Sequence, residues 1–205
     1  MRFHAAIFTL MLCCGGAFGA AFDEAFNAGI PHGWQALDQP WQIMKDPDLS
    51  HPENQVLQVE ALDGHVATMI ISHEALGDGT LRFRSRFATP FPNVTSPDKN
   101  DGKHFPHWRV NLMPQVDGGG LVLLDNHVWA TLELSQTGQA SVKQEGVRPQ
   151  DTWIQWAITC KDGTCTVLQE GRQVLTTTYN RQACSGLSIN VMHGRLYLDD
   201  ISFKP

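Results

Sequence analysis

The sequence predicts an all-β fold, a sandwich of two antiparallel sheets, and three observations carry that prediction. Residues 152–179 (TWIQWAITCKDGTCTVLQEGRQVLTTTY) hold three β-patterned runs joined at Lys161-Asp162-Gly163-Thr164 and at Glu170-Gly171, and Asp-Gly supplies residues that tolerate positive φ. Residues 80–88 (TLRFRSRFA) alternate strictly, with Leu81, Phe83, Ser85 and Phe87 on one face and Arg82, Arg84 and Arg86 on the other. Beyond residue 19 no helix-length stretch shows a 3.6-residue period, and short strand patterns recur with turn signals between them. A three-stranded ribbon needs a partner surface for its apolar face, and the rest of the chain reads as that partner.

Residues 1–19 read as a secretory signal. Arg2 makes a basic start, residues 5–12 a short apolar run, and Ala17-Phe18-Gly19 a cleavage site with small residues. The run is too short to span a bilayer. Cys13 and Cys14 follow Leu12 and Cys13, which are not the small residues that lipoprotein processing favours. The expected organisation is therefore a signal over 1–19 and one β-sandwich domain over 20–205, secreted or periplasmic. The formal charge of −6 becomes −7 once Arg2 is removed, which argues against a broad nucleic-acid footprint.

In order, 22–27 reads as a first strand, Gly29 to Gly33 as a turn, 41–44 as a short strand and 46–54 as a proline-bearing loop. Residues 55–60 and 65–72 read as a hairpin turning at Asp63-Gly64. After 80–88 comes the irregular stretch 89–103, with the sequon Asn93-Val94-Thr95. Strands are then expected over 108–113, 120–125, 128–135 and 139–144, with the second and third forming a hairpin around Asn126-His127. After the 152–179 meander, 186–192 and 195–204 close the chain, joined at His193-Gly194.

Cys160 and Cys165 flank the Asp-Gly turn and face each other, which suggests a cross-hairpin disulfide. Pairing of Cys184 with either of them is the competing arrangement. No C-x-x-C spacing favours a metal site.

Four groups of residues have the chemistry of a site. Arg82, Arg84 and Arg86 stand about 7 Å apart along one strand face and can fork onto carboxylates or sulfates of an anionic polysaccharide, or pair with acids on neighbouring strands. His107, Trp108 and Arg109, with His104, combine an aromatic platform, imidazoles and a base, although alternation turns Trp108 to the opposite face from His107 and Arg109. Asp199 and Asp200 are adjacent, so a regular strand points them to opposite faces. Asp200 with Asp23, or with Glu24 in its place, would suit calcium if the first and last strands are neighbours, and no other cofactor is implied. The eight histidines beyond the signal are scattered, and no G-x-S-x-G elbow occurs.

Several stretches together resemble the concanavalin A-like lectin/glucanase superfamily, including laminin-G-like and 3-keto-disaccharide-hydrolase-like (DUF1080-type) domains. They are FDEAFNAGIPHGWQ (22–35) with the following Trp41 strand, NQVLQVE (54–60), GDGTLRFRSRF (77–87), the tryptophan strand and hairpins from Thr152, and the ending GRLYLDDISFKP (194–205). The resemblance implies a jelly-roll sandwich whose relatives commonly bind or cleave glycans outside the cytoplasm. The Glu-x-Asp-x-x-Glu strand of the laminarinase-like enzymes does not occur here. The expected function is thus a non-catalytic glycan-binding or glycan-associated protein with a polysaccharide partner. A glycoside hydrolase would need two facing carboxylates among Asp125, Glu133, Asp199 and Asp200. A ligand-free structural domain would show an exposed apolar patch and no cleft.

Overall fold

The computed structural model describes residues 21–48, 50–73, 76–88, 107–112, 121–126, 131–136, 142–145, 151–179 and 186–205. The expected signal, the 89–103 stretch with its sequon, His104, His127 and Cys184 lie outside them. All regular structure among the described residues is β-strand: β1 (Phe22–Glu24), β2 (Gln35–Leu37), β3 (Trp41–Lys45), β4 (Gln55–Ser72), β5 (Gly79–Ala88), β6 (His107–Asn111), β7 (Leu121–Asn126), β8 (Thr131–Gln136), β9 (Val142–Glu145), β10 (Ile154–Lys161), β11 (Thr164–Gln169), β12 (Arg172–Thr178) and β13 (Leu187–Lys204).

Every pairing is antiparallel, and the registers sort the strands into two layers. The first sheet runs β12-β11-β10-β5, then the C-terminal half of β13, then β1 and the N-terminal half of β4, then β3. The second runs β9-β8-β7-β6, then the N-terminal half of β13, the C-terminal half of β4, and β2. Two long strands, β4 and β13, therefore belong to both sheets. The expected hairpin over 55–72 is corrected here, and so is the division of 186–204 into two strands. The two halves of β4 do not pair with each other; each pairs with β13, whose register shifts between Met192 and Gly194. Asp63-Gly64 and His193-Gly194 mark a crossing between sheets. His193 takes φ 51° there, and a Cβ on Gly194 would stand 2.1 Å from Phe87 Cζ.

The meander folds as its turns dictate. Asp162 and Gly163 take φ 49° and 77°, and Glu170 and Gly171 take 50° and 72°, the doubly positive pattern of tight hairpin turns. Leu81, Phe83 and Phe87 of β5 meet Trp156 and Ile158 of β10 in the first sheet and Trp108 and Val110 of β6 in the second, in one continuous core. Its centre is aromatic. Trp108 stands edge-on to Phe83 at 5.8 Å and to Trp156 at 5.4 Å, and Phe83 stacks on Trp156 at 6.3 Å. The indole N–H of Trp156 donates to Ser85 Oγ at 2.9 Å, so the hydroxyl on the apolar face of β5 is satisfied.

Cys160 and Cys165 are direct register partners pointing into this core, with their sulfurs 2.8 Å apart as thiols.

Candidate functional site

On the outer face of the first sheet, β5 presents Arg82, Arg84 and Arg86. β13 lies beside it, and a bulge there changes the geometry that a regular strand would have. Asp199 pairs with Arg84 and Ser202 with Arg82, so Asp200 and Ile201 together oppose the single residue Phe83, and Asp200 takes φ 50°. The expectation that Asp199 and Asp200 point to opposite faces is thereby corrected: both carboxylates reach Arg84. The guanidinium donates from Nη2 to Asp199 Oδ2, while its Nε stands 3.0 Å from Asp200 Oδ2.

Asp199 is buried and also accepts from Asn54 Nδ2 at 2.8 Å and from the Asp200 backbone N–H at 2.8 Å. Asn54 donates in turn to Asp46, which accepts the Trp153 indole N–H at 3.1 Å, and Trp153 lies 5.0 Å beneath the Arg84 guanidinium. Desolvation works to lower the Arg84 pKa, but the hydrogen bond and charge of Asp199, with Asp200 and Asp46, outweigh it and hold the group above its usual range. Desolvation, reinforced by Asp199 and Asp23 and opposed by Arg84, raises the Asp200 carboxyl. Arg86 faces Asp151 at 3.6 Å, and Arg82 is exposed. Two of the three stripe arginines thus already have carboxylates.

β1 does pair with β13, placing Asp23 opposite Ser202 and within electrostatic reach of Asp200. Calcium takes six to eight oxygens. Here Arg84 holds the Asp200 carboxylate, and no group of three or more metal-ligating side chains gathers among the described residues. Asp23 and Asp200 as they stand do not fit such an ion. The same face also carries an open groove of about 300 Å³ lined by Gln39, Pro40, Gln42, Gln58 and Glu60. Three of its polar side chains are committed to one another or to β13: Gln42 Nε2 donates to Gln58 at 2.6 Å, and Arg195 Nη2 donates to Glu60 at 2.7 Å.

The second sheet's outer face is different. In β6, Trp108 and Val110 point inward and His107, Arg109 and Asn111 outward. This corrects the expectation that the Trp108 indole stacks on a sugar: it is 1% exposed, at the heart of the core. It also separates the remaining candidates, because His107 and Arg109 lie on the opposite side of the sandwich from the arginine stripe.

Register places β13 and β7 on either side of β6. Arg109 lies between Asn190 and Leu124, Asn111 between Ser188 and Val122, and His107 between Met192 and Asn126. A chain of side-chain hydrogen bonds crosses three strands. Asn111 Nδ2 donates to Ser188 Oγ at 3.1 Å and to Asn190 Oδ1, and Asn190 Nδ2 donates to Thr68 Oγ1 at 2.6 Å. Ser188 and Thr68 act here as acceptors, and a hydroxyl keeps its own proton to donate. Burial pushes the Arg109 guanidinium below its usual pKa, and its buried Nε has no hydrogen-bond partner. Nothing in the sequence singled out Thr68, Ser188 and Asn190, which come from strands more than a hundred residues apart and meet only through register.

The four acids that a hydrolase reading would enlist do not converge. Asp125 points into the core, between Trp108 and Leu132 in register. Glu133 points outward on the second sheet and pairs with Lys143 at 3.0 Å. Asp199 and Asp200 belong to the Arg84 network on the other sheet.

The architecture is that of the concanavalin A-like jelly roll. Carbohydrate-binding module CBM66 from Bacillus subtilis superposes with a TM-score of 0.59 at 10% identity, covering 84% of this chain and 96% of that one. The β-glucanase of Bacillus licheniformis gives 0.58 at 11% identity, covering 91% and 99%. The Crh5 transglycosylase gives 0.61 at 12% identity, covering 92% and 85%. At such identities the likeness is one of fold. No family model matches the chain, and no curated protein matches its sequence.

Proposed function

We propose that the protein is an exported glycan-binding module, secreted or periplasmic, that contacts its glycan through the outer face of the second sheet. The observation that carries this reading is the polar row on that face. Asn111, Ser188, Asn190 and Thr68 form a cross-strand ladder of amides and hydroxyls beside Arg109 and the half-buried apolar Leu124. Ser188 and Asn190 are buried within the row, at 5% and 9% exposure, and hold the half-buried Asn111 and Thr68 in place. These two and the half-buried Arg109 offer donors and acceptors to sugar hydroxyls, with Leu124 as an aliphatic surface for ring C–H groups. The fold shared with a carbohydrate-binding module and a β-glucanase supports the reading, and the apolar run within residues 1–19 supports export.

Affinity electrophoresis of the purified protein through gels carrying neutral or acidic polysaccharides tests the proposal. The expected result is retardation in at least one gel, weakened by Asn111→Ala in a protein whose thermal transition is kept. Migration unchanged in every gel refutes it. Retardation that survives Asn111→Ala but is lost in Arg82→Ala moves the binding surface to the first sheet.

A further inference from the structure

The described arginines fall into three kinds. Arg82 and Arg172 are exposed to water. Arg84, Arg86 and Arg195 are partly withdrawn from water, and each faces a carboxylate: Asp199 with Asp200, Asp151, and Glu60 respectively. Arg109 alone among the described residues is withdrawn, with a buried Nε, and faces none. The nearest carboxylate by register on its face, Glu133, lies beyond Leu124 and is paired with Lys143 at 3.0 Å. A guanidinium does not neutralise itself by losing a proton, so a desolvated one with no counter-charge is costly unless an anion arrives.

The surroundings of Arg109 suit an anion borne on a sugar. Asn190 lies across one strand boundary and Leu124 across the other, with His107 and Asn111 about 7 Å away along β6. The planar guanidinium fork matches the two oxygens of a carboxylate or sulfate.

We infer that the glycan held on the second sheet is an acidic one, and that Arg109 forks onto its carboxylate or sulfate group while the half-buried Asn111 and Thr68, held by Asn190, take neighbouring hydroxyls. This inference rests on the second sheet being the glycan face. The whole protein is acidic, with a formal charge of −6, so attraction at a distance does not recruit the ligand and recognition is local to Arg109.

Calorimetric titration of the full protein separates the two claims. The probes are galacturonate and mannuronate oligosaccharides, the methyl ester of each, a sulfated galactan oligosaccharide and a neutral cello-oligosaccharide. The expected result is binding of at least one acidic probe. If it is a uronate, its methyl ester, which keeps the sugar and removes the charge, binds about 10- to 100-fold more weakly, the loss expected for one hydrogen-bonded charged group. If only the sulfated probe binds, the anion is a sulfate and the neutral probe is the comparison. Arg109→Gln reproduces the loss for the acidic probe alone, and Arg109→Lys recovers part of it, because an ammonium keeps the charge without the fork. Should Arg109→Gln not fold, the comparison of acid with ester on the unmodified protein still decides. Binding of ester or neutral probe as tightly as acid overturns the inference and leaves the glycan reading standing. Binding of no probe overturns both.

Discussion

Replacing Arg84 with methionine distinguishes an arginine that holds the fold together from one kept for a ligand. Methionine retains most of the aliphatic stem, so packing changes little and the loss is chiefly the charge. What remains is Asp199, 1% exposed, with acceptor bonds only from Asn54 and the Asp200 N–H, and with Asp46 and Asp200 as like-charged neighbours. Breaking a buried ion pair by removing one partner costs about 3–5 kcal/mol. The Arg84 side chain keeps 22% exposure and Asp199 keeps two hydrogen bonds, which places the effect near the lower end, at about 3 kcal/mol. For a domain of this size that corresponds to a Tm lowered by about 6–12 °C. The neighbouring arginines supply the internal scale. Arg86→Met breaks a 3.6 Å contact with an Asp151 side chain that is 61% exposed, with Asp48 as a further acid at longer range, and costs less than about 1 kcal/mol. Arg82→Met, at an exposed position, stays within about 0.5 kcal/mol. Differential scanning calorimetry at neutral pH reads all three. Adding Asp199→Asn to Arg84→Met returns part of the loss, because the orphaned charge is gone. Equal small losses at all three arginines, or a double variant no more stable than Arg84→Met, would refute the reasoning.

Three further outcomes are expected. Gly194→Ala drives a methyl to 2.1 Å from the Phe87 ring, itself 3% exposed, and destabilises by at least about 1–3 kcal/mol in urea unfolding, with Phe87→Leu restoring stability in the same chain. Mild oxidation joins Cys160 to Cys165 across the hairpin, with a gain of about 2 kcal/mol; mass spectrometry after alkylation shows both thiols protected together, and Cys160→Ser leaves Cys165 labelled on unfolding even when Cys184 is replaced. Asp200 titrates with the sign opposite to most carboxylates. Its folded-state pKa is raised above the ordinary 3.8, so its contribution is fully present below that value and lost as pH rises through the raised folded value. Stability relative to Asp200→Asn therefore falls with rising pH from 3.8 upward, measured as a difference in Tm between the two proteins, and a difference that grows with pH rules this out.

Local chemistry was readable in the sequence wherever a neighbour in the chain supplied the partner. Asp162-Gly163 and Glu170-Gly171 made the meander, and the alternation in β5 assigned its apolar and arginine faces correctly. Period-2 counting also separated Trp108 from His107 and Arg109, while leaving open which side was core. Sequence reading ran out where partners are distant. Asp63-Gly64 carries the same turn chemistry as a hairpin, and only pairing with β13 makes it a crossing point. The bulge at Asp200 overrides the alternation that would have split Asp199 from Asp200. Asn54 bridges Asp46 and Asp199, and Asn190 donates to Thr68, through hydrogen bonds that no local pattern announces.

The passage of β4 and β13 through both layers has a consequence for how the protein comes apart. In a sandwich whose sheets share no strand, one layer can peel away while the other keeps its ladder. Here pulling β13 from β5 also strains the same strand where it lies against β6, and β4 links the layers a second time. Amide hydrogens at Asn190 and Asp199, on opposite faces of the molecule but on one strand, should therefore exchange in a single event, with protection close to that of the whole fold.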